Sequence, residues 1–197
     1  MFRRLVGSAT FAACAVASCV LFAQYPQPTA EHEILAQDKG TWTAKVKMWA
    51  EGPEGEPLVS EAKEENVMLG GFWLISTFEG ELAGMPFTGK GMFGYDPEKK
   101  KYVGTWIDSM TPTSMSMVGT YDASTRTFTY MTSGSDGEGN DYKGKIVTKM
   151  KDDDHKTMAM YVDMDGTMVK QMVIEYSRGS EEESGRERPV LNELDIE

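Results

Sequence analysis

The sequence predicts an all-β fold, an antiparallel up-and-down β-barrel of about ten strands with a short helix before it. From Thr41 onward apolar and polar residues alternate, which is typical of strands with one buried face. Short turns separate the alternating segments, and Asp165-Gly166 is the strongest hairpin signal among them. No helical segment between strands is long enough to cross to a parallel neighbour. A two-sheet sandwich is the alternative, but closure into a barrel removes exposed strand edges.

The elements follow one another with short connections. The segment from Glu31 to Lys39 is compatible with a helix, with Thr29 as its N-cap and Gly40 as its stop. The predicted strands are 41–48, 59–69, 72–81, 88–95, 101–110, 115–121, 127–133, 142–150, 156–163 and 167–177. A Tyr-Asp turn pattern occurs at Tyr95 and again at Tyr121, 26 residues later. That distance equals two strands and two turns, so the repeat indicates a meander.

The chain divides into four segments: a signal peptide at 1–23, a linker at 24–30, the barrel domain at 31–178 and a disordered acidic tail at 179–197. The basic start and the uncharged run from Leu5 to Phe22 are typical of a secretory signal. We therefore expect an exported protein, periplasmic or secreted, with no membrane span after cleavage. An uncleaved N-terminal membrane anchor is the alternative, since the run is just long enough to span a bilayer.

Cys19 adds a second possibility at the N-terminus. Val16-Ala17-Ser18-Cys19 resembles the lipobox of bacterial lipoproteins, in which the cysteine is lipidated and becomes the first residue. Cleavage before Ser18 or Gln24 would instead release a free protein. The only other cysteine, Cys14, also lies in the signal, so the mature domain would have no disulfide and no thiolate chemistry.

The charge balance excludes some partners. The chain has 31 acidic and 20 basic residues and a net charge of −11. Nucleic acids and anionic membranes both require a basic face, so neither is an expected partner. The acidic balance selects no particular partner, and the sequence does not predict an oligomeric state.

The predicted interior is rich in methionine and aromatic residues. The chain contains 15 methionines, and thioether side chains suit an irregular or adaptable apolar cavity. Barrels of this size can hold one small ligand. The candidate ligand-binding residues are Trp42, Phe78, Tyr102, Trp106, Met115, Met117, Tyr130, Met158 and Met160. The same alternation also turns inward Phe72, Leu74, Phe128, Ile146, Met172 and Ile174. The alternative is that these side chains simply fill the barrel.

Metal and cofactor sites are not expected. Paired methionines such as Met115 with Met117 could bind Cu(I), but copper sites of this kind usually lie in exposed loops rather than mid-strand. The two histidines, His32 and His155, lie before the barrel and in a turn, which does not favour haem ligation. The aspartates of the turns lack the spacing of a calcium loop.

The sequence contains no catalytic signature. Gly-x-Ser-x-Gly and His-Glu-x-x-His are both absent. Glu64 and Asp108 face inward by alternation and could form a carboxylate pair, although a bulge would change that assignment. We therefore expect a barrel that binds a small apolar or amphipathic ligand. The alternatives are an interaction module with a filled core and a partner-binding acidic tail, and an enzyme.

Two resemblances support this fold. Gly40-Thr41-Trp42 resembles the Gly-x-Trp that opens lipocalin and fatty-acid-binding barrels, in which a basic residue after the last strand packs on the tryptophan; Arg178 is in place for that role. The chain also resembles the domain-of-unknown-function family 1579 of bacterial, often exported, proteins. The matching residues are His32, Leu35, 40–42, 69–73, 94–96, 104–106, 109–110, Pro112 and 152–157. This resemblance implies a lipocalin-like barrel and carries no ligand or catalytic residues.

Overall fold

The computed structural model describes residues 25–49 and 54–179, and these form a closed barrel behind one helix. The elements are α1 (Ala30–Ala36), β1 (Gly40–Met48), β2 (Leu58–Leu69), β3 (Trp73–Leu82), β4 (Met85–Asp96), β5 (Lys101–Asp108), β6 (Met115–Asp122), β7 (Thr127–Ser135), β8 (Asp141–Met150), β9 (His155–Met164) and β10 (Thr167–Arg178). Each strand pairs antiparallel with the next, and β10 pairs with β1. The up-and-down barrel of ten strands is confirmed, and the sandwich alternative is wrong.

Some expectations concern residues that the structure does not describe. The signal peptide at 1–23, with Cys19 in it, lies outside the described residues, as does the acidic tail beyond Gly179. In the described part of the chain, no helix is long and apolar enough to cross a membrane.

The alternation that predicts the strands also assigns their faces. In β1, Trp42, Ala44 and Val46 are buried, whereas Thr43 and Lys45 between them are exposed. Successive side chains of a strand point to opposite faces, so every strand contributes one row to the interior.

Up-and-down connectivity sends alternate turns to opposite ends of the barrel. The helix end carries the turns 70–72, 97–100, 123–126 and 151–154. The opposite end carries the connection from β1 to β2 and the connections 83–84, 109–114, 136–140 and 165–166; we call it the open end because no helix of the described residues lies there. Helix α1 packs against β3 and β4 at the helix end.

Helix α1 closes its end of the barrel with two buried side chains. Leu35 is 3% exposed and joins the core, and His32 is 4% exposed. The His32 ring meets the rings of Phe72 and Tyr95 edge-on, at centroid distances of 5.3 and 5.8 Å. Its Nδ1 accepts a hydrogen bond from the backbone N–H of Thr29 at 3.0 Å, which satisfies one free donor of the helix start.

Two boundaries differ from the sequence prediction. The helix ends at Ala36 and not at Lys39, because the backbone must turn there to present carbonyl oxygens to side chains of the barrel. Phe72 lies in the turn before β3, where its N–H donates to the carbonyl of Leu69. Its ring therefore packs against His32 and does not belong to the inner face of β3.

Part of the outer surface is apolar as well. Val67, Met92, Val118 and Met131 each keep more than two fifths of their surface exposed on outward positions of β2, β4, β6 and β7. The barrel therefore carries apolar side chains on both faces of these strands, and its inner face is the more completely buried of the two.

Candidate functional site

The barrel encloses a cavity of about 720 Å³. This volume lies within the range of about 300–1,000 Å³ found for small-molecule sites. Most of the lining is methionine, aromatic and aliphatic. Every strand except β2 contributes such side chains, as does α1 through Leu35, whereas β2 contributes only Glu64 and Asn66. The interior is therefore not completely filled by its side chains.

Seven of the nine candidate ligand-binding residues line this cavity: Phe78, Trp106, Met115, Met117, Tyr130, Met158 and Met160. The other two, Trp42 and Tyr102, lie behind its wall. The Trp42 ring is completely buried, and its Nε1–H donates to the carbonyl of Asp38 at 3.0 Å. The Tyr102 hydroxyl donates to the carbonyl of Glu31 at 3.2 Å. The indole N–H and the phenol O–H thus both point at backbone carbonyls of the segment 31–38, which explains why neither ring lines the cavity.

Two glycines on the inner face of β4 leave room for the ring of Trp106, which forms part of the cavity wall. A Cβ at Gly89 would lie 2.1 Å from Cζ2 of Trp106, and one at Gly91 would lie 3.2 Å from Cε3 of the same ring. The Trp106 indole can therefore lie flat against β4 instead of projecting into the interior.

The helix end of the cavity is polar. We call Asp38, Glu64, Asn66, Lys156 and Tyr176 the polar floor; all five line the cavity. The Lys156 ammonium donates to Asp38 Oδ1 at 2.6 Å and to Glu64 Oε1 at 2.8 Å. Asn66 Nδ2 donates to Glu64 Oε1 at 2.9 Å, and the Tyr176 hydroxyl donates to Glu64 Oε2 at 3.2 Å. These bonds satisfy groups that would be costly to bury alone.

Two cations stack on the ring of Trp42. Lys156 Nζ lies 4.6 Å from its centroid, and the Arg178 guanidinium carbon lies 4.1 Å from it. Arg178 also donates to the carbonyls of Lys39 at 2.7 Å and of Asp153 at 2.8 Å. The expected packing of Arg178 on Trp42 is confirmed, and it ties the end of β10 to the segment after α1.

Burial and charge shift the pKa values of the polar floor. Burial raises the pKa of Asp38 to about 6, although the Lys156 ammonium opposes the shift. Burial lowers the pKa of Lys156, but the charges of Glu64 and Asp38 outweigh it, and the net pKa is raised. Burial and the charge of Glu64 raise the pKa of Tyr176 well above its usual range. At neutral pH the floor therefore holds an ammonium, a neutral phenol and a carboxylate at Asp38.

Glu64 and Asp108, which could have formed a carboxylate pair, are not brought together. Glu64 and Asp108 both line the cavity, but Phe78 and Gly89 lie between them in register. Three strand spacings of about 4.8 Å place their backbones roughly 14 Å apart along the sheet. Asp108 belongs to the open end, where its Oδ2 accepts from Trp106 Nε1 at 3.2 Å. The two carboxylates therefore cannot share a proton or a substrate atom directly.

The remaining candidates for metal chemistry are not brought together. His32, in α1, is buried against Phe72 and Tyr95, whereas His155 is half exposed and contacts Asp152 at 2.8 Å. The methionines Met115 and Met117 line the cavity from the first residues of β6, which begins at Met115, and not from mid-strand as expected. Within residues 25–49 and 54–179, no group of three or more His, Cys, Asp or Glu side chains is placed to hold a metal ion.

Sequence reasoning missed Lys156 and Asp38, the centre of the polar floor. A signal for Lys156 was present, since it shares the inward parity of Met158 and Met160 on β9. An inward lysine requires a buried partner. Glu64, the one acidic side chain already assigned inward on β2, was available for that role.

The chain is similar to solved structures and to one family model. The crystal structure of Rv2717c from M. tuberculosis superposes with a TM-score of 0.58 at 12% identity, covering 78% of this chain and all of that one. A redesigned β-barrel, b11L5F_LGL, gives a TM-score of 0.39 at 15% identity, covering 74% of this chain and 94% of that one. The search of curated proteins finds no match. A family model described as a protein of unknown function, DUF1579, matches residues 27–178. The chain therefore belongs to the DUF1579 family.

Proposed function

We propose that this protein binds one small apolar or amphipathic molecule inside the barrel. The cavity of about 720 Å³ with its methionine and aromatic lining is the observation that supports this function. Apolar surface drives binding in a concave site, and a few placed polar groups orient the ligand. The polar floor supplies such groups at one end. Methionines such as Met158 and Met160 can adapt their shape to a ligand that fits imperfectly.

A cavity-filling substitution tests this function. Met160→Trp adds bulk to the cavity wall, so we expect it to abolish uptake of the neutral dye N-phenyl-1-naphthylamine in a fluorescence titration. Met131→Trp is the matched control, because Met131 faces outward and is 52% exposed. The control should bind the dye as the wild type does. Native mass spectrometry of the purified protein, followed by lipid extraction, would then identify any molecule that is carried.

Two results would contradict the proposal. One is a wild-type protein that carries no extractable molecule and takes up no dye. The other is dye uptake that Met160→Trp and Met131→Trp leave equally unchanged, because the dye would then be bound outside the barrel.

We also propose that the protein acts outside the cytoplasm. The basic start, the uncharged run and the small residues within 1–23 support export. A barrel without cysteine between residues 25 and 179 would fold equally well in an oxidising compartment, since it has no thiol there to mispair.

A further inference from the structure

Carboxylates dominate the charges that line the cavity. Among the described residues, Asp38, Glu64, Asp108 and Asp136 contribute four acidic groups, and Lys156 is the only cationic lining side chain. Two of the acids lie in the polar floor, and the other two lie at the open end. A ligand therefore meets acidic groups at both ends of the cavity.

The single lysine has at most one donor left for a ligand. An ammonium carries three N–H groups. Lys156 directs donors at Asp38 and Glu64, at 2.6 and 2.8 Å, and its charge also lies over the rings of Trp42 and Tyr176, at 4.6 and 4.4 Å. An anionic head group at the floor would find this cation already paired.

Most of the unused hydrogen-bonding capacity of the floor is acceptor capacity. Asn66 is 1% exposed, and its Oδ1 has no hydrogen-bond partner. Rotating the Asn66 amide by 180° would not supply a donor, because Nδ2 already donates to Glu64 Oε1 and to the carbonyl of Asp38, and the rotation would lose both bonds. Glu64 Oε2 accepts one bond, from Tyr176 at 3.2 Å, although a carboxylate oxygen can accept two. Apart from the third N–H of Lys156, the floor offers a ligand only acceptors, so a head group bearing O–H or N–H would complement it.

The open end imposes the same preference. Asp108 accepts from the backbone N–H groups of Met110 and Thr111, both at 2.9 Å. Asp136 accepts from the backbone N–H of Glu138 at 2.8 Å and from Asn140 Nδ2 at 2.7 Å. These bonds hold both carboxylates in place at the open end. A ligand that placed an anionic head there would be repelled, whereas a cationic head would be attracted.

We infer that the cavity selects neutral or cationic amphiphiles whose head group donates hydrogen bonds, an alcohol or an amine, and discriminates against carboxylate amphiphiles. This inference rests on the proposed binding function and specifies the ligand class of the same site. An alcohol or ammonium head donates to Glu64 and, after a small side-chain movement, to Asn66. A carboxylate head would be buried beside the carboxylates Glu64 and Asp38. One N–H of Lys156 is the single floor donor that could offset its lost hydration, so its burial is unfavourable.

Three probes with the same tail separate the head groups. Dodecan-1-ol, dodecylammonium and dodecanoate are each titrated against the full mature protein loaded with N-phenyl-1-naphthylamine, at about pH 8, where Asp38 is ionised. We expect the alcohol and the ammonium to displace the dye at concentrations about tenfold or more below dodecanoate. Equal or better displacement by dodecanoate, with dye uptake intact, would overturn the inference and leave the binding function standing. Failure of the wild type to take up the dye or any probe would overturn the binding function itself.

Glu64→Gln tests whether the floor causes the preference. This variant keeps the shape and removes one charge, so the ratio of ammonium to carboxylate affinity should fall about tenfold. Glu175→Gln removes the same charge from the outer face of β10, where Glu175 pairs with Lys47, and should leave the ratio unchanged. An equal change in both variants would mean that general charge causes the preference, against the inference. If Glu64→Gln fails to fold, the ranking of the three probes on the wild type still decides.

Discussion

Lys156 shows how one side chain can define the polar end of an apolar cavity. It is 3% exposed, yet it stays charged because Asp38 and Glu64 surround it. A buried ion pair of this kind contributes little net stability, since desolvation offsets most of the attraction. Its main effect is to position other side chains. The ammonium, on β9, holds the carboxylate of Asp38, from the segment between α1 and β1, and the carboxylate of Glu64, from β2. Lys156 therefore matters mainly for the positions of the polar-floor side chains. It matters less for the stability of the barrel.

Asp38 makes part of the stability depend on pH. Burial raises its pKa from 3.8 to about 6, and its side chain is 22% exposed. The folded protein therefore binds this proton more tightly than the unfolded chain does. This contribution to stability is complete below the unfolded pKa of 3.8 and is lost as the pH rises through about 6.

The substitution Asp38→Asn removes this dependence. We expect the unfolding free energy of the wild type, relative to the variant, to fall by about 1–3 kcal/mol from about pH 4 to about pH 7. The attraction between ionised Asp38 and Lys156 is already included in the pKa of about 6, so only the difference between a neutral carboxyl and an amide remains as a constant offset. Urea unfolding at several pH values measures the difference.

Asp122→Asn is the control. Hydrogen bonds from Ser124 and Thr125 lower the pKa of Asp122, so its contribution is present above 3.8 and is lost only in stronger acid. Its difference from the wild type should stay flat over the same range. A flat difference for Asp38→Asn as well would show that Asp38 is not titrating with a raised pKa.

At the scale of elements, α1 is too short to be stable alone. It has seven residues, and isolated helices of that length are marginal in water. Packing on the barrel therefore holds it, chiefly through Leu35, which joins the core and lines the cavity. The contact between α1 and the strands is what closes the helix end.

Leu35→Ala tests this closure. Removing a buried leucine side chain costs about 2–4 kcal/mol, because the lost apolar contact leaves a cavity. Thermal unfolding should therefore show a clearly lower melting temperature. Glu33→Ala, on the exposed side of the same helix, should change the melting temperature little. Equal effects of the two substitutions would show that α1 contributes through helix formation and not through Leu35.

Much of this architecture could be predicted from sequence because one physical rule generates it. Alternation assigns the inner faces of β1 and of β6 correctly, since a strand with one buried face must repeat every two residues. Alternation fails to predict side-chain position where the chain leaves the strand, as at Phe72. It also does not predict hydrogen bonds between polar groups that come from different strands. Trp42 is inward as expected, but its Nε1–H finds the carbonyl of Asp38, a contact that local pattern does not encode. The polar floor joins residues more than 90 positions apart, so only the register of the closed barrel brings it together.

For the whole molecule, closure replaces covalent cross-linking. Ten paired strands leave no open edge, and residues 25–49 and 54–179 contain no cysteine. The barrel must therefore be held by its core and its hydrogen-bond ladders, which about 150 residues can supply. Cys14 and Cys19 both precede it, and the role that the sequence predicts for Cys19 concerns processing of the N-terminus.

The mass of the mature protein tests that role. When the full-length chain is expressed in a bacterium with an export pathway, we expect the protein outside the cytoplasm to begin at Gln24 or Ser18. Intact-mass measurement distinguishes these products from a chain that begins at an acylated Cys19. Cys19→Ser should leave a released protein unchanged, and Cys14→Ser is the matched control. An acylated species that Cys19→Ser abolishes and Cys14→Ser retains would identify a lipoprotein, because lipidation requires that thiol. A cytoplasmic protein that still carries residues 1–23 would contradict export, since an export signal is removed when the chain crosses the membrane.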